Sequence, residues 1–95
     1  MGYAEYSVGQ VVYSKCGHDK GSILVISDIE NEFLYLIDGK TRKMDKPKKK
    51  KAKHVQKTNY LDEELKRKVE NGEYLLDSDF SKAIKRYSSQ SEQKK

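Results

Sequence analysis

The stretch "GQVVYSKCGHDKGSILVISDI", residues 9–29, decides between a β and a helical chain. Two short runs of apolar and β-branched residues, Gln10-Val11-Val12-Tyr13-Ser14 and Ser22 to Ile29, flank a Gly17-to-Gly21 turn, which is the pattern of paired strands. The second run carries Ile23, Leu24, Val25 and Ile26 in succession and reads as the central, most buried strand. Between the runs, a thiol, an imidazole, a carboxylate and an amine fall within Cys16 to Lys20. A structural zinc site needs four ligands, yet the whole chain offers one Cys and two His, and His54 is far along the chain from His18. A cysteine nucleophile needs a base held by an orienting group, and a neighbouring imidazole in a turn is not held. Residues 17–21 therefore read as a loop: Gly17 and Gly21 supply unusual φ, Asp19 can bond local amides, and Lys20 is exposed. No metal, no cofactor and no enzyme activity are expected.

Downstream, Asp28 to Glu32 reads as a polar hairpin connection into a strand at Phe33-Leu34-Tyr35-Leu36-Ile37. Asp38-Gly39 is a strong two-residue hairpin signal, with Thr41 to Met44 returning as a fourth strand and Pro47 ending regular pairing. His54-Val55-Gln56 is the candidate short fifth strand. Four or five short antiparallel strands within about fifty residues suggest a small closed barrel, because closure removes exposed edges. An SH3-like barrel is the economical form.

Beyond Thr58 the period changes. Leu61, Leu65 and Val69 recur at helical spacing, with Asn59 as a plausible cap, Asp62, Glu63 and Glu64 in the first turn, and Gly72 past the end. This narrow apolar stripe is expected to pack on the barrel. Phe80, Ala83, Ile84 and Tyr87 repeat the spacing after a possible cap at Asp77 or Ser78. The predicted architecture is mainly β with C-terminal helices: a lead at 1–7, a barrel at 8–58, a helical extension at 59–87 and a flexible tail at 88–95.

The 95 residues allow one small domain, and charged residues (37%) slightly outnumber hydrophobic ones (35%). One cysteine excludes an internal disulfide, the amino terminus has no apolar run of the secretion-signal kind, and no run approaches membrane-spanning length. A cytoplasmic protein without membrane contact is expected. The net charge of +5 conceals an asymmetry, because residues 40–57 hold ten of the twenty basic residues against one acid, Asp45. A concentrated basic segment on a mildly acidic body is the composition of a protein that docks on a polyanion.

The opening stretch also resembles the KOW motif of ribosomal proteins and transcription elongation factors: a Gly-led strand, a Gly-x-x-Lys-Gly loop at 17–21, then a hydrophobic strand. The continuation "FLYLIDGKTRKMDKPKKKKAKHVQKT", residues 33–58, is similar to bacterial KOW-domain proteins that resemble archaeal and eukaryotic large-subunit ribosomal proteins of the eL-fourteen and eL-twenty-seven type. Many KOW motifs carry another glycine after the Lys-Gly pair, where this chain has Ser22-Ile23-Leu24. The resemblance spans residues 8–58 and implies an SH3-like barrel whose loops contact RNA, which assigns Gly17, His18, Asp19, Lys20 and Gly21, with Lys15 beside them, to the interface.

The charge pattern points the same way. Lys40, Arg42, Lys43, Lys46, Lys48, Lys49, Lys50, Lys51 and Lys53 can neutralise phosphates, with His54 at the end of the run. Such contacts position a nucleic acid without reading its sequence. Stacking by His18, Tyr13 or Tyr35 would supply any selectivity, although tyrosines in strands more often pack against neighbours. The expectation is a non-enzymatic, RNA-binding module of ribosomal-protein type, monomeric outside its complex, with rRNA or the large ribosomal subunit as partner. A transcription-associated nucleic-acid-binding factor and an SH3-like protein-interaction module are the alternatives.

Overall fold

The structure is a computed structural model and describes residues 6–93. Most of the lead expected at 1–7 and the last two residues of the tail expected at 88–95 lie outside the described residues. Five strands, β1 (Gln10–Ser14), β2 (Ile23–Glu30), β3 (Phe33–Ile37), β4 (Lys48–Lys51) and β5 (Val55–Leu61), form one sheet in the order β4-β3-β2-β1-β5. Every pairing is antiparallel. Two helices follow, α1 (Glu63–Glu70) and α2 (Asp77–Gln93).

β2 lies at the centre of the sheet, as its unbroken apolar run predicts. Leu24 and Ile26 enter one core with Val12, Leu34, Leu36, Ala52 and Val55. Val25 points the other way, into a second core with Val11, Ile37, Leu65, Phe80 and Ala83. The sheet thus carries an apolar cluster on each face, the first an inner core to which neither α1 nor α2 contributes and the second covered by them. Burying a side chain such as Leu65 or Phe80 contributes on the order of 1.5–3 kcal/mol, enough to hold an otherwise marginal eight-residue helix on the sheet.

Two irregularities bend the sheet. The β2–β3 register slips between Ile26 and Asp28, and the Ser27 hydroxyl there donates to the Tyr35 carbonyl at 3.1 Å. The β1–β5 register slips between Gln10 and Val12. Side chains take over from the ladder at that point: Thr58 Oγ1 donates to the Val11 carbonyl at 2.7 Å, and Gln10 Nε2 donates to the Thr58 carbonyl at 3.1 Å. Bulges of this kind increase the local twist.

Several sequence expectations need correction. Strand β2 runs through Glu30, so the β2–β3 connection is only Asn31-Glu32. Thr41 to Met44 is not a strand. Asp38 Oδ1 accepts from the backbone N–H groups of Lys40, Thr41 and Arg42 at 2.8–2.9 Å, which satisfies locally the donors a strand would have used. Gly39 packs so close to the first turn of α2 that a Cβ there would strike the Asp77 carbonyl and Ser81. The fourth strand is the lysine run itself, and Pro47 precedes it instead of ending the sheet. His54 belongs to a 3-10 turn at Ala52–His54 that leads into a seven-residue β5. Asn59 lies in β5 and caps nothing: the cap of α1 is Asp62, whose side chain accepts from Leu65 N–H at 3.0 Å. Finally, α2 continues through Gln93, where a tail was expected from Ser88.

The helices are pinned by charge as well as apolar contact. The Asp62 carboxylate accepts Arg86 Nε at 2.8 Å and Nη2 at 2.9 Å, a two-pronged bond tying the start of α1 to the middle of α2. Burial alone would raise the pKa of Asp62, but the bonds from Arg86 and Leu65 N–H, together with the Arg86 charge, hold it below the usual carboxylate value. Lys68 Nζ meets Asp79 Oδ1 at 3.1 Å, a second tie between the helices.

Candidate nucleic-acid interface

Residues 15–21 form a structured loop. Gly17 and Gly21 have φ of +88° and +90°, a region costly for other residues. Gly21 N–H donates to the Ser14 carbonyl at 2.9 Å, Ser22 N–H to the Asp19 carbonyl at 2.9 Å, and Lys20 N–H to the Gly17 carbonyl at 3.2 Å. Asp19 stands at the centre. Its Oδ1 accepts the Ser14 hydroxyl at 2.9 Å and Lys50 Nζ at 3.1 Å. Burial tends to raise the Asp19 pKa, and the bonds from Ser14 and Lys50 outweigh it and hold the carboxyl ionised below its usual range.

Lys50 is the largest departure from the expected site. Its side chain is 8% exposed and its Nζ also donates to the Cys16 carbonyl at 2.9 Å. Its place opposite Leu34 in the β3–β4 register sends it toward the inner core, from which it reaches the loop. It is therefore withdrawn from the lysines expected to meet phosphate and acts as an internal cross-link. Asp19 is likewise held by Lys50 and Ser14, and its part is to shape the loop.

A second link brings the loop to the basic segment: Lys15 N–H donates to the His54 carbonyl at 2.9 Å. Lys15, Cys16, Gly17, His18, Lys20 and Gly21 are exposed on one side of this junction, and Lys53 is exposed with half-buried His54 on the other. These residues, distant in sequence, share one end of the sheet.

The remaining lysines do not form one continuous arm. Lys49 lies on the outer face with its Nζ 4.6 Å from the Phe33 ring centre and 5.8 Å from that of Tyr35. Lys51 Nζ is 6.0 Å from Phe33 and 3.9 Å from Glu32 Oε2. Lys48 is half-buried. Lys40, Lys43 and Lys46 are exposed on the 38–47 loop with half-buried Arg42, and Met44 N–H anchors that loop by donating to Asp77 Oδ1 at 2.7 Å. Tyr13 is committed elsewhere, since its hydroxyl bonds that of Tyr87 at 2.9 Å and its ring packs edge-on against the same residue. Tyr35 donates to Glu30 Oε1 at 2.7 Å, which raises its own pKa.

Sequence reasoning missed one surface. A cleft of about 400 Å3 opens between the start of β2, the 38–40 turn and α2, lined by Ile23, Lys40, Lys82, Ile84 and Lys85 among others. The signal was the pair Lys82 and Lys85 on the helix, but their approach to Lys40 follows from the topology, not from spacing.

Among the described residues, no group of three or more His, Cys, Asp or Glu side chains is placed to hold a metal ion, and no helix is long and apolar enough to cross a membrane. No protein-family model matches the chain, and no curated protein matches it either.

Proposed function

We propose that the chain is a small SH3-like barrel with a helical cover that binds structured RNA, and that its target is rRNA of the large ribosomal subunit in the cytoplasm. The strand order β4-β3-β2-β1-β5, the 3-10 turn joining the two edge strands and the enclosed inner core support the barrel. One observation carries the functional reading: the 15–21 loop is bonded to the 52–54 turn and cross-linked to β4, so that Lys15, His18, Lys20 and Lys53 gather on one end of the sheet while the neighbouring carboxylate is internally neutralised. Preorganised cations of this kind bind phosphates with little ordering cost. His18, exposed on the loop, is the group suited to stack on an unpaired base.

Sedimentation of a cell lysate through sucrose at low and high salt tests the assignment. Comigration with the large subunit is expected, and travel at the top of the gradient under both conditions overturns the ribosomal target. Binding to RNA is tested directly by its salt dependence. Replacing Lys15, Lys20 and Lys53 together by Gln should make the log–log slope shallower by about 2, near 0.7 for each phosphate on a single strand.

A protein-interaction reading is favoured at a different place. A cleft of about 520 Å3 is lined by Asp28, Glu30, Tyr35, Pro47 and Leu75 among others, and the chain neighbours of Leu75, Tyr74 and Leu76, are strongly exposed. Capture of a protein partner that is lost on changing Tyr74 and Leu76, with no RNA binding, would favour that module.

A further inference from the structure

The cleft between the 38–40 turn and α2 has the chemistry of a strand-binding groove. Lys40 stands on one wall, and Lys82 and Lys85 stand on the other. All three are exposed, and none lies within ion-pair distance of a carboxylate among the described residues, the Asp79 charge acting on Lys82 only from further off. Arg86, the next basic residue on the helix, differs in being engaged by Asp62. Ile23 and Ile84 contribute apolar surface, while Ser81 and Ser88 add hydroxyls. One acid lines the cleft, Asp38, and its Oδ1 is occupied by three backbone N–H groups.

Cationic walls around an apolar surface match a single RNA strand: ammonium groups meet phosphates, and a base or ribose face lies against the isoleucines. Position supports this occupant over an isolated anion. Ile23 lies two residues after Gly21, so the cleft begins where the exposed loop ends.

We infer that Lys40, Lys82 and Lys85 form a second RNA-contact track, continuous with the 15–21 loop, so that α2 is part of the binding surface as well as a cover for the sheet. This rests on the RNA-binding reading above and extends it to a helix outside the stretch that resembles the KOW domain. The track engages phosphates without sequence preference and lengthens the footprint of the loop.

The test uses the full chain and a fluorescein-labelled oligouridylate of about 12 nucleotides, within the usual site size of small single-strand binders. The Lys82→Gln/Lys85→Gln double variant should keep the wild-type melting temperature, because both side chains are exposed, and should show a salt slope shallower by about 1.4. Photo-crosslinking with 4-thiouridine should yield adducts on peptides from both the 15–21 loop and α2.

If the wild-type chain binds a folded rRNA fragment but not the oligouridylate, this inference is overturned and the loop reading stands; if it binds neither, the RNA-binding reading fails and the cleft falls with it. If the wild type binds, the Lys15/Lys20/Lys53 variant loses slope and the α2 variant does not, the loop reading stands and this inference is overturned. Displacement of the oligouridylate by poly-glutamate at equal charge concentration, dependent on Lys82 and Lys85, would also overturn it and assign the cleft to acidic protein segments.

Discussion

Two carboxylates each join parts of this molecule distant in sequence, and they do so differently. Asp62 is 1% exposed and fully engaged: Arg86 grips it with two nitrogens, Leu65 N–H caps the helix on it, and the Tyr60 hydroxyl lies at 3.4 Å. Asp19 has one oxygen bonded to Ser14 and Lys50, while the buried Oδ2 has no hydrogen-bond partner among the described residues. The first junction fastens helix to helix. The second sits beneath the exposed residues proposed to meet RNA, and it shapes a loop whose outward groups stay free. Complete satisfaction goes with the tie between the helices, and partial satisfaction goes with the end proposed to meet RNA.

Acid should break both junctions at once, with the largest effect. The folded pKa values of Asp19, Asp62 and Asp79 all lie below the ordinary carboxylate value. Their stabilisation is therefore present above the unfolded pKa, about 4, and is lost as pH falls through the folded values. Unfolding followed by circular dichroism should show a stability plateau near neutrality and a steep decline below about pH 4. A flat profile down to pH 2 would mean that these carboxylates carry no net stabilisation.

Separate breakage sharpens the contrast. Asp62→Asn should cost about 2–4 kcal/mol in chemical denaturation, less than for a fully buried pair because Arg86 is 39% exposed. RNA affinity under folding conditions should be unchanged. Lys50→Met should cost about 1–3 kcal/mol by leaving Asp19 unpaired, and it should loosen the loop, read as faster amide exchange at residues 15–21. Its salt slope should match wild type, unlike that of Lys53→Gln, which should be shallower with stability altered by no more than about 0.5 kcal/mol. Identical behaviour of the two lysine variants would erase the distinction between internal and external lysines.

A smaller effect than that of either carboxylate junction belongs to the tyrosine pair. The hydrogen bond that the Tyr87 hydroxyl shares with the Tyr13 hydroxyl, together with burial, pushes the Tyr87 pKa up to about 12. Tyr13→Phe should cost about 1 kcal/mol and lower that value, seen as earlier tyrosinate absorbance in an alkaline titration. Wild-type stability should hold below about pH 10 and decline as Tyr87 is forced to ionise.

The strands that announce themselves by apolar runs, β1, β2 and β3, were legible almost to the residue. Strand β4 was not, because four lysines carry no hydropathic alternation; their neighbours, Leu34 and Leu36 on one side and Phe33 and Tyr35 on the other, impose it. Asp38-Gly39 misled because the aspartate bonds three successive amides and closes the turn on itself. Asn59 was the wrong cap because β5 extends through Leu61, anchored by Thr58 on β1, leaving Asp62 as the first residue free to cap. Helix α2 outran its apolar pattern because nothing between Ser88 and Gln93 stops a helix, neither Gly nor Pro. The loop half of the candidate site could be read from glycine spacing. Its junction with Lys50 and the α2 cleft could not, since both require knowing which strands are neighbours.

The pairing of β1 with β5 has a consequence for synthesis. Strands β1 to β4 are sequence neighbours and can pair as they emerge, but Val12 meets Lys57 and Ser14 meets Val55, residues made much later. Until residues 55–61 leave the exit tunnel, Val11, Val12 and Tyr13 form an open edge, the kind of surface on which nascent chains associate. A chain halted after β4 has emerged and before residues 55–61 follow would carry the Lys50–Asp19 link already made and this edge still bare. In that state the unpaired edge of β1 is the surface open to association with another chain.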